Sequence, residues 1–180
     1  YPDNVYLFEE ELVKHFDITT KNNETIRIYG FSYNHRWIKE RMIEKYPINP
    51  RATDFTIGLL HGSLDSTENE HANYAPFSLQ DLLSKEYDYW ALGHIHQAMV
   101  LNEVPLIQYP GIIQGKNAKE SGDKGAYIVE LRQNQPTLND FISLASIVWE
   151  TANLYCNYDW DQRRIMAETQ DFVTTHDAEP

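Results

Sequence analysis

Residues 89–96 read Tyr-Trp-Ala-Leu-Gly-His-Ile-His, and residues 55–62 read Phe-Thr-Ile-Gly-Leu-Leu-His-Gly. Each stretch is a short apolar run with aromatic or β-branched residues, which predicts a buried strand that ends in histidine. His61 ends one strand, and His94 and His96 follow the other. Ligands of open α/β sheets bind beyond the carboxyl ends of strands, so the three rings would meet at one edge if the strands are neighbours.

Other short β-type runs and one helix surround these two stretches. The predicted strands are Val5 to Phe8, Thr25 to Tyr29, Phe55 to Leu60, Tyr87 to Leu92, Val104 to Tyr109 and Ala126 to Leu131. A helix is predicted from about Asn34 to Tyr46, because Ile38 and Met42 precede Tyr46 at helical spacing and Pro47 stops it.

A second helix has a clear beginning. Ser78 is a candidate N-cap with Asp81 three residues later, and an apolar stripe of Leu79, Leu82 and Leu83 follows. Helices therefore alternate with strands through about Trp90, which favours an α/β layered sheet.

The second half of the chain has a different pattern. Turn signals between its strands predict hairpins and antiparallel pairing. Beyond Gln133, residues 141–149 look strand-like, and a helix is predicted from Asp159 to about Gln170. We place a domain boundary near Asn134, which divides the chain into residues 1–133 and 134–180.

Composition limits the class of protein. The chain has 180 residues, of which 42% are hydrophobic, so it can bury about 70% of its unfolded surface around a core. Its net charge of −12 argues against a stand-alone module that binds phosphate backbones. Without a membrane span, a signal peptide or a second cysteine beside Cys156, a soluble protein of the reducing cytoplasm is expected.

The spacing of His94 and His96 favours metal binding. In extended backbone, residues i and i+2 point to the same side with Cα atoms roughly 6.6 Å apart, so each ring could hold one ion of a pair. Imidazoles alone would suit zinc, and a mixture with carboxylates would suit manganese or iron. The alternative is that a strand-end histidine simply meets solvent, and we apply it to the other four: His15, His35, His71 and His176.

The two stretches together resemble the last two motifs of the calcineurin-like metallophosphoesterases. Within that superfamily the chain looks like the DNA-repair exonuclease branch, the SbcD-like proteins and their YhaO-like relatives. Four further strings carry the resemblance: Pro2-Asp3-Asn4-Val5, Tyr29-Gly30-Phe31-Ser32-Tyr33, Tyr74-Ala75-Pro76-Phe77 and Tyr109-Pro110-Gly111. The resemblance extends from about Pro2 to Leu131.

The resemblance implies a metal site with two divalent ions, expected to be Mn²⁺. By this resemblance His61 and His94 would bind one ion, and His96 the other. The fold implied is the carboxyl-side half of a four-layer α/β/β/α sandwich, followed by the start of a small α+β capping domain.

In the family, three further motifs precede these two, and this sequence contains none of them. They are an Asp-x-His strand end, a Gly-Asp whose carboxylate bridges both ions, and a Gly-Asn-His loop with the proton-donating histidine. Tyr33-Asn34-His35 echoes the last one but stands in the wrong segment. Because the chain starts with Tyr1 rather than methionine, we expect a longer parent protein and an inactive fragment.

The resemblance implies a phosphodiesterase, with DNA as substrate of an exonuclease and an SbcC-like ATPase as partner. A homodimer is a further expectation, because an incomplete sheet exposes strand edges. Two alternatives stay open: a phosphoesterase for small phosphoesters, and a scaffold that binds proteins without catalysis. Residues 114–125, with Lys116, Lys119 and Lys124, could contact a phosphate backbone or form an ordinary solvated loop.

Overall fold

A computed structural model describes most of the chain. The described residues are 2–35, 37–65, 74–133, 137–151, 153 and 155–176. Their strands are β1 (Lys14–Thr19), β2 (Thr25–Gly30), β3 (Phe55–His61), β4 (Tyr89–Gly93), β5 (Met99–Asn102), β6 (Leu106–Tyr109), β7 (Gly125–Glu130) and β8 (Leu138–Ser143). Their helices are α1 (Leu79–Leu83) and α2 (Gln162–His176), with a single 3-10 turn at Met42–Lys45.

The main sheet mixes parallel and antiparallel strands in the order β1-β2-β3-β4-β6-β5. The central pairs β2–β3, β3–β4 and β4–β6 are parallel, whereas the edge strands β1 and β5 pair antiparallel. The protein is therefore of mixed α/β type. Because β3 and β4 are adjacent and parallel, their carboxyl ends lie at the same edge of the sheet.

Aromatic packing on Trp90 of β4 forms the centre of the core. Tyr87 stacks on the Trp90 ring at a centroid distance of 4.7 Å, and Tyr46 meets it edge-on at 5.2 Å. On the neighbouring strand, a Cβ added at Gly58 would stand 2.2 Å from the Trp90 ring. Only glycine leaves room there for the indole, which explains the small residue within an otherwise bulky strand.

The predicted beginning of α1 is confirmed. The hydroxyl of Ser78 accepts the Asp81 N–H at 3.1 Å, and the Asp81 carboxylate accepts the Ser78 N–H at 2.8 Å. This reciprocal pair is a capping box, and it satisfies two N–H groups at the helix start.

The helix predicted over residues 34–46 is wrong. Its apolar residues Ile38, Met42 and Tyr46 are buried as expected, but only the 3-10 turn forms among the described residues of this segment. The carbonyl of Ile38 accepts the N–H of Ala75 at 2.8 Å, and the Met42 N–H bonds to Glu40 instead. Pairing with a distant segment thus replaces the helical hydrogen bonds.

Several strand predictions also differ from the structure. Residues 5–8 form no strand, whereas β1 and β5 were not predicted. The signal for β1 was present, since Phe16 and Ile18 alternate with polar residues and both are half-buried. The strand expected over residues 141–149 begins earlier as β8 and ends at Ser143.

Strands β7 and β8 form a separate antiparallel pair. The antiparallel pairing predicted for the second half is confirmed for β5 with β6, but it is wrong for β6 with β4, which are parallel. The β7–β8 pair is joined to the main sheet through Gln108 of β6 and Asn139 of β8, whose side-chain amides exchange hydrogen bonds of 3.0 and 2.8 Å. Helix α2 begins three residues later than predicted and extends further. The proposed boundary residue Asn134 lies outside the described residues.

Within the described ranges, no helix has the length and apolar character needed to cross a bilayer.

Candidate metal centre

Two of the three predicted histidines lie side by side at the carboxyl edge of the sheet. His61 is the last residue of β3 and pairs in register with Gly93, the last residue of β4. His94 follows directly, and the centroids of the His61 and His94 rings are 5.4 Å apart at an angle of 77°. Adjacent parallel strands therefore bring together two imidazoles that are 33 positions apart in the sequence.

Glycines make the close approach of these strand ends possible. A Cβ at Gly93 would stand 2.8 Å from Nδ1 of His61, and one at Gly62 would stand 2.5 Å from the carbonyl oxygen of Ala75. The Gly62 N–H also donates to the Gly93 carbonyl at 3.2 Å, which extends the pairing of β3 and β4 past His61.

His94 has an unusual backbone. Its φ is +105°, a region that favours glycine and costs other residues about 1–3 kcal/mol. The turn after Gly93 thus places a bulky side chain where the backbone alone would prefer none. Such strain is common at functional sites, where the surrounding structure fixes it.

Two tyrosines enclose the His61 and His94 rings. Tyr74 stacks on His94 at 5.4 Å with an interplanar angle of 15°, and it meets His61 edge-on at 5.5 Å. Tyr33 lies 5.8 Å from His61. No sequence pattern predicts that these tyrosines belong to the site, although both lie in strings that carry the family resemblance.

The environment favours the uncharged form of both rings. Desolvation, followed by the proximity of His94 and His96, lowers the pKa of His61. Desolvation and then His96 lower the pKa of His94 in the same way. A neutral imidazole has a free nitrogen lone pair, so the lowered pKa values favour the form of both rings that can bind a metal ion.

His96 lies at the same edge, and its ring is held by a carboxylate. Nδ1 of His96 is 2.6 Å from Oε1 of Glu120. The N–H of Lys116, followed by the His96 ring, lowers the pKa of Glu120, so this side chain is an acceptor and Nδ1 carries the proton. No local pattern indicates this partner, because 24 positions separate the two residues.

Comparison with known proteins adds a relative of similar sequence. No family model matches the chain. The chain is 39% identical, over 155 residues, to the uncharacterized metallophosphoesterase YhaO of Bacillus subtilis strain 168. The similarity supports the metallophosphoesterase superfamily for this chain. The aligned region covers 84% of the chain but only 37% of the relative's length.

The donor type at this edge fits the divalent metals that metallophosphoesterases use. Neutral imidazole is a ligand for manganese, iron and zinc alike. The number of donors is insufficient, however, because the described residues contain no group of three or more His, Cys, Asp or Glu placed to hold an ion. His61 and His94 therefore offer two adjacent candidate donors of this type, and the assignment of all three histidines as metal ligands stays a prediction.

The segment Tyr109-Pro110-Gly111 packs against the backbone beside His61 and His96. The Tyr109 hydroxyl donates to the Gly62 carbonyl at 2.7 Å, and burial raises the pKa of Tyr109 to about 12. Gly111 has a φ of +77°, and a Cβ there would stand 2.9 Å from the carbonyl oxygen of His96. These contacts show a turn that supports the backbone beside the histidines.

The lysines of residues 114–125 do not form a uniform basic surface. Lys124 is only 3% exposed, and its Nζ donates to the Ser121 carbonyl at 2.6 Å and to the Gln97 side chain at 3.2 Å. The ammonium group of Lys124 is hydrogen-bonded within the protein and is not available at the surface. The interpretation of all three lysines as phosphate contacts is therefore wrong for Lys124.

The remaining histidines stay apart from this edge or from the described residues. His15 packs against Tyr29 on the edge strand β1, and His35 lies 3.4 Å from Glu11. His71 lies outside the described residues, and only the backbone of His176 is described.

Proposed function

We propose that this chain supplies the histidine ligands of a two-metal phosphodiesterase. The observation that carries the proposal is the adjacency of the His61 and His94 rings, 5.4 Å apart at the carboxyl ends of parallel strands. Two rings this close can bind the same ion, and His96, two residues after His94, is available for a second ion at the separation of about 3.5–4 Å that paired ions have in phosphodiesterases.

Each histidine would have a defined role. His61 and His94 would bind one ion and His96 the other, with Mn²⁺ as the expected metal. Bound ions of this kind lower the pKa of water and neutralise phosphate oxygens. The chain's own contribution is to hold neutral imidazoles in place, through the glycine contacts of β3 and β4 and the stacking of Tyr74.

We further propose that the ligand set is completed by residues that this sequence does not contain. The carboxylate motifs of the family do not precede His61, and three imidazoles cannot offset the repulsion between two dications. The 180-residue chain alone is therefore expected to be inactive.

The proposed architecture assigns residues 1–133 to the carboxyl-side half of a four-layer sandwich and residues 134–180 to the start of a capping domain. The mixed main sheet and the separate β7–β8 pair support this assignment, since a sandwich needs two sheets.

The proposed substrate is DNA, cleaved by an exonuclease of the DNA-repair branch in the cytoplasm. An SbcC-like ATPase and a second copy of the chain are the proposed partners. A small phosphoester is the second candidate substrate. The net charge of −12 and the burial of Lys124 favour it, because both weaken attraction to a nucleic-acid backbone.

A hydrolysis assay of the full-length gene product tests the proposal. With Mn²⁺ and bis(p-nitrophenyl) phosphate, the protein should be active, whereas His61→Ala, His94→Ala and His96→Ala should lower kcat/KM at least 100-fold. His15→Ala is the control, because His15 lies two strands away from β3. Activity of the isolated 180-residue chain, or full activity of the three single-histidine variants, would contradict the proposal.

Oligonucleotide binding separates the two substrates. A nuclease should bind DNA with an affinity that falls steeply as salt rises, because phosphate contacts release counterions. A phosphoesterase for small substrates should show no such binding.

A further inference from the structure

The loop between β6 and β7 carries Glu120 and connects the metal-site edge with the segment that follows β8. Both oxygens of the Glu120 carboxylate are engaged: Oε1 by Nδ1 of His96 at 2.6 Å, and Oε2 by the N–H of Lys116 at 2.7 Å. The Glu120 side chain is 16% exposed, whereas that of His96 is 54% exposed. The carboxylate is thus the fixed member of the pair, and the ring takes its orientation from it.

The backbone of this loop is held by Trp149. The indole N–H of Trp149 donates to the Gly115 carbonyl at 3.1 Å, and the Trp149 carbonyl accepts the Gly122 N–H at 2.8 Å. The packing is tight, because a Cβ at Gly115 would stand 3.1 Å from Cδ1 of Trp149 and 2.8 Å from the Glu120 carbonyl oxygen. Trp149 therefore contacts the loop on both sides of Glu120.

Gln114 and Lys124 strengthen the same connection. The Gln114 side chain accepts the Ser146 N–H at 2.9 Å and donates to the Ile147 carbonyl at 2.7 Å. At the other end of the loop, Lys124 bridges Ser121 to Gln97, the residue after His96. The loop is thus attached to the segment after β8 and to the backbone beside His96.

We propose that Glu120 is a positioning residue for His96 and that Trp149 holds the loop which carries it. The inference rests on the proposed role of His96 as a metal ligand. The two nitrogens of imidazole lie on different sides of the ring. When Nδ1 is hydrogen-bonded to Glu120, the lone pair of Nε2 is left to bind a metal ion, and its direction is fixed by the orientation of the ring. A carboxylate that orients a ligating histidine in this way usually contributes a factor of about 10–100 to metal affinity.

Mn²⁺ affinity of the full-length gene product tests the inference without relying on catalysis. Titration followed by the electron paramagnetic resonance signal of free Mn²⁺ gives the Kd for wild type, Glu120→Gln and Glu120→Ala. We expect Glu120→Ala to weaken binding about 10–100-fold and Glu120→Gln by less, because an amide oxygen can still accept the Nδ1 proton. Glu130→Gln is the matched control, because Glu130 is a surface carboxylate at the end of β7 that pairs with Arg132.

A double-mutant cycle shows whether Glu120 acts through His96. In a His96→Ala background, Glu120→Ala should cause no further loss of affinity. The unfolding temperature of metal-free Glu120→Gln should match that of wild type. An equal loss of affinity in both backgrounds would overturn the inference, as would affinities of the Glu120 variants within twofold of Glu130→Gln.

The role of Trp149 in holding the loop is tested separately. Trp149→Phe keeps a ring but removes the N–H that reaches Gly115, and we expect it to weaken Mn²⁺ binding severalfold only while Glu120 is present. Trp160→Phe is the control. A Trp149→Phe protein that binds Mn²⁺ like wild type would overturn this part of the inference.

Failure of the inference differs from failure of the proposed function. If His96→Ala weakens Mn²⁺ binding and the Glu120 variants do not, only the positioning role is overturned. If His96→Ala itself leaves the affinity unchanged, His96 is not a ligand, and both proposals are overturned.

Discussion

The ring of His61 lies directly against the α-carbon of Gly93, so that a methyl group at Gly93 would stand 2.8 Å from Nδ1 of His61. These two residues are register partners on adjacent parallel strands, and His94 is the residue that follows β4. One backbone contact therefore sets how close the two imidazoles come. The geometry of the candidate metal centre therefore depends on Gly93, which has no side chain, as well as on the histidines.

Gly93→Ala should displace the His61 ring and weaken Mn²⁺ binding by about tenfold or more, in the range seen when support for a ligand is lost. The fold should survive, because the clash involves the exposed side chain of His61, which can rotate away. Isothermal titration with Mn²⁺, together with thermal unfolding, measures both effects. Unchanged affinity would show that the position of His61 does not matter for metal binding.

Gly58→Ala is the complementary test. The same substitution on the neighbouring strand β3 places a methyl group against the core instead of against His61. Its Cβ would overlap the Trp90 ring at 2.2 Å. We expect destabilisation by about 1–3 kcal/mol or more, as for other overpacked cores. Urea unfolding measures it, and a variant as stable as wild type would contradict the packing described for Trp90.

His94→Gly and His94→Ala should both lose metal affinity but differ in stability. At a φ of +105°, alanine keeps the backbone strain and glycine relieves it. We expect His94→Gly to be more stable than His94→Ala by about 1 kcal/mol, after the entropy cost of glycine is included. At His15, an ordinary strand position, the order should be reversed, so His15→Gly and His15→Ala are the control pair.

Tyr109→Phe should lower the free energy of unfolding by about 1–3 kcal/mol. It removes the hydroxyl that donates to the Gly62 carbonyl at 2.7 Å, and a buried carbonyl without a donor carries that penalty. Urea unfolding of the variant and of Tyr155→Phe, an exposed control, gives the comparison. Equal stability of the two variants would argue against a structural role for the Tyr109 hydroxyl.

Asp81 should contribute a pH-dependent part of the stability. Burial alone would raise the pKa of Asp81, but hydrogen bonds from Ser78 and from Arg41 outweigh it, and the pKa is lowered. The stabilisation is therefore present above the unfolded pKa of about 3.9 and is lost as the pH falls through the lower folded value.

Asp81→Asn should flatten this acid limb. Urea midpoints between pH 7 and pH 3 measure it, with Asp140→Asn as the exposed control. An acid limb of Asp81→Asn as steep as that of wild type would contradict the contribution assigned to Asp81.

Local patterns predicted those parts of the fold that local physics decides. The strand before His61, the strand before His94 and the capping box of Ser78 and Asp81 all follow from spacing and residue type. The helix expected around Met42 failed because the Ile38 carbonyl bonds to Ala75, a partner 37 positions away that no local pattern reveals.

The candidate site divides in the same way. The strand-end histidines could be found from the sequence, because the end of an apolar strand is a local signal. Glu120 could not, because its approach to His96 depends on a loop held by Trp149, and nothing in the spacing of these residues predicts that contact. Long-range contacts of this kind set the orientation of a ligand, whereas the sequence pattern indicates only its identity.

The most direct test of the central claim is a crystal structure of the full-length gene product grown with Mn²⁺, with diffraction data collected at the manganese absorption edge. We expect anomalous density within bonding distance of the rings of His61 and His94, with a second ion at Nε2 of His96. Anomalous density elsewhere, with these three rings free of metal, would contradict it.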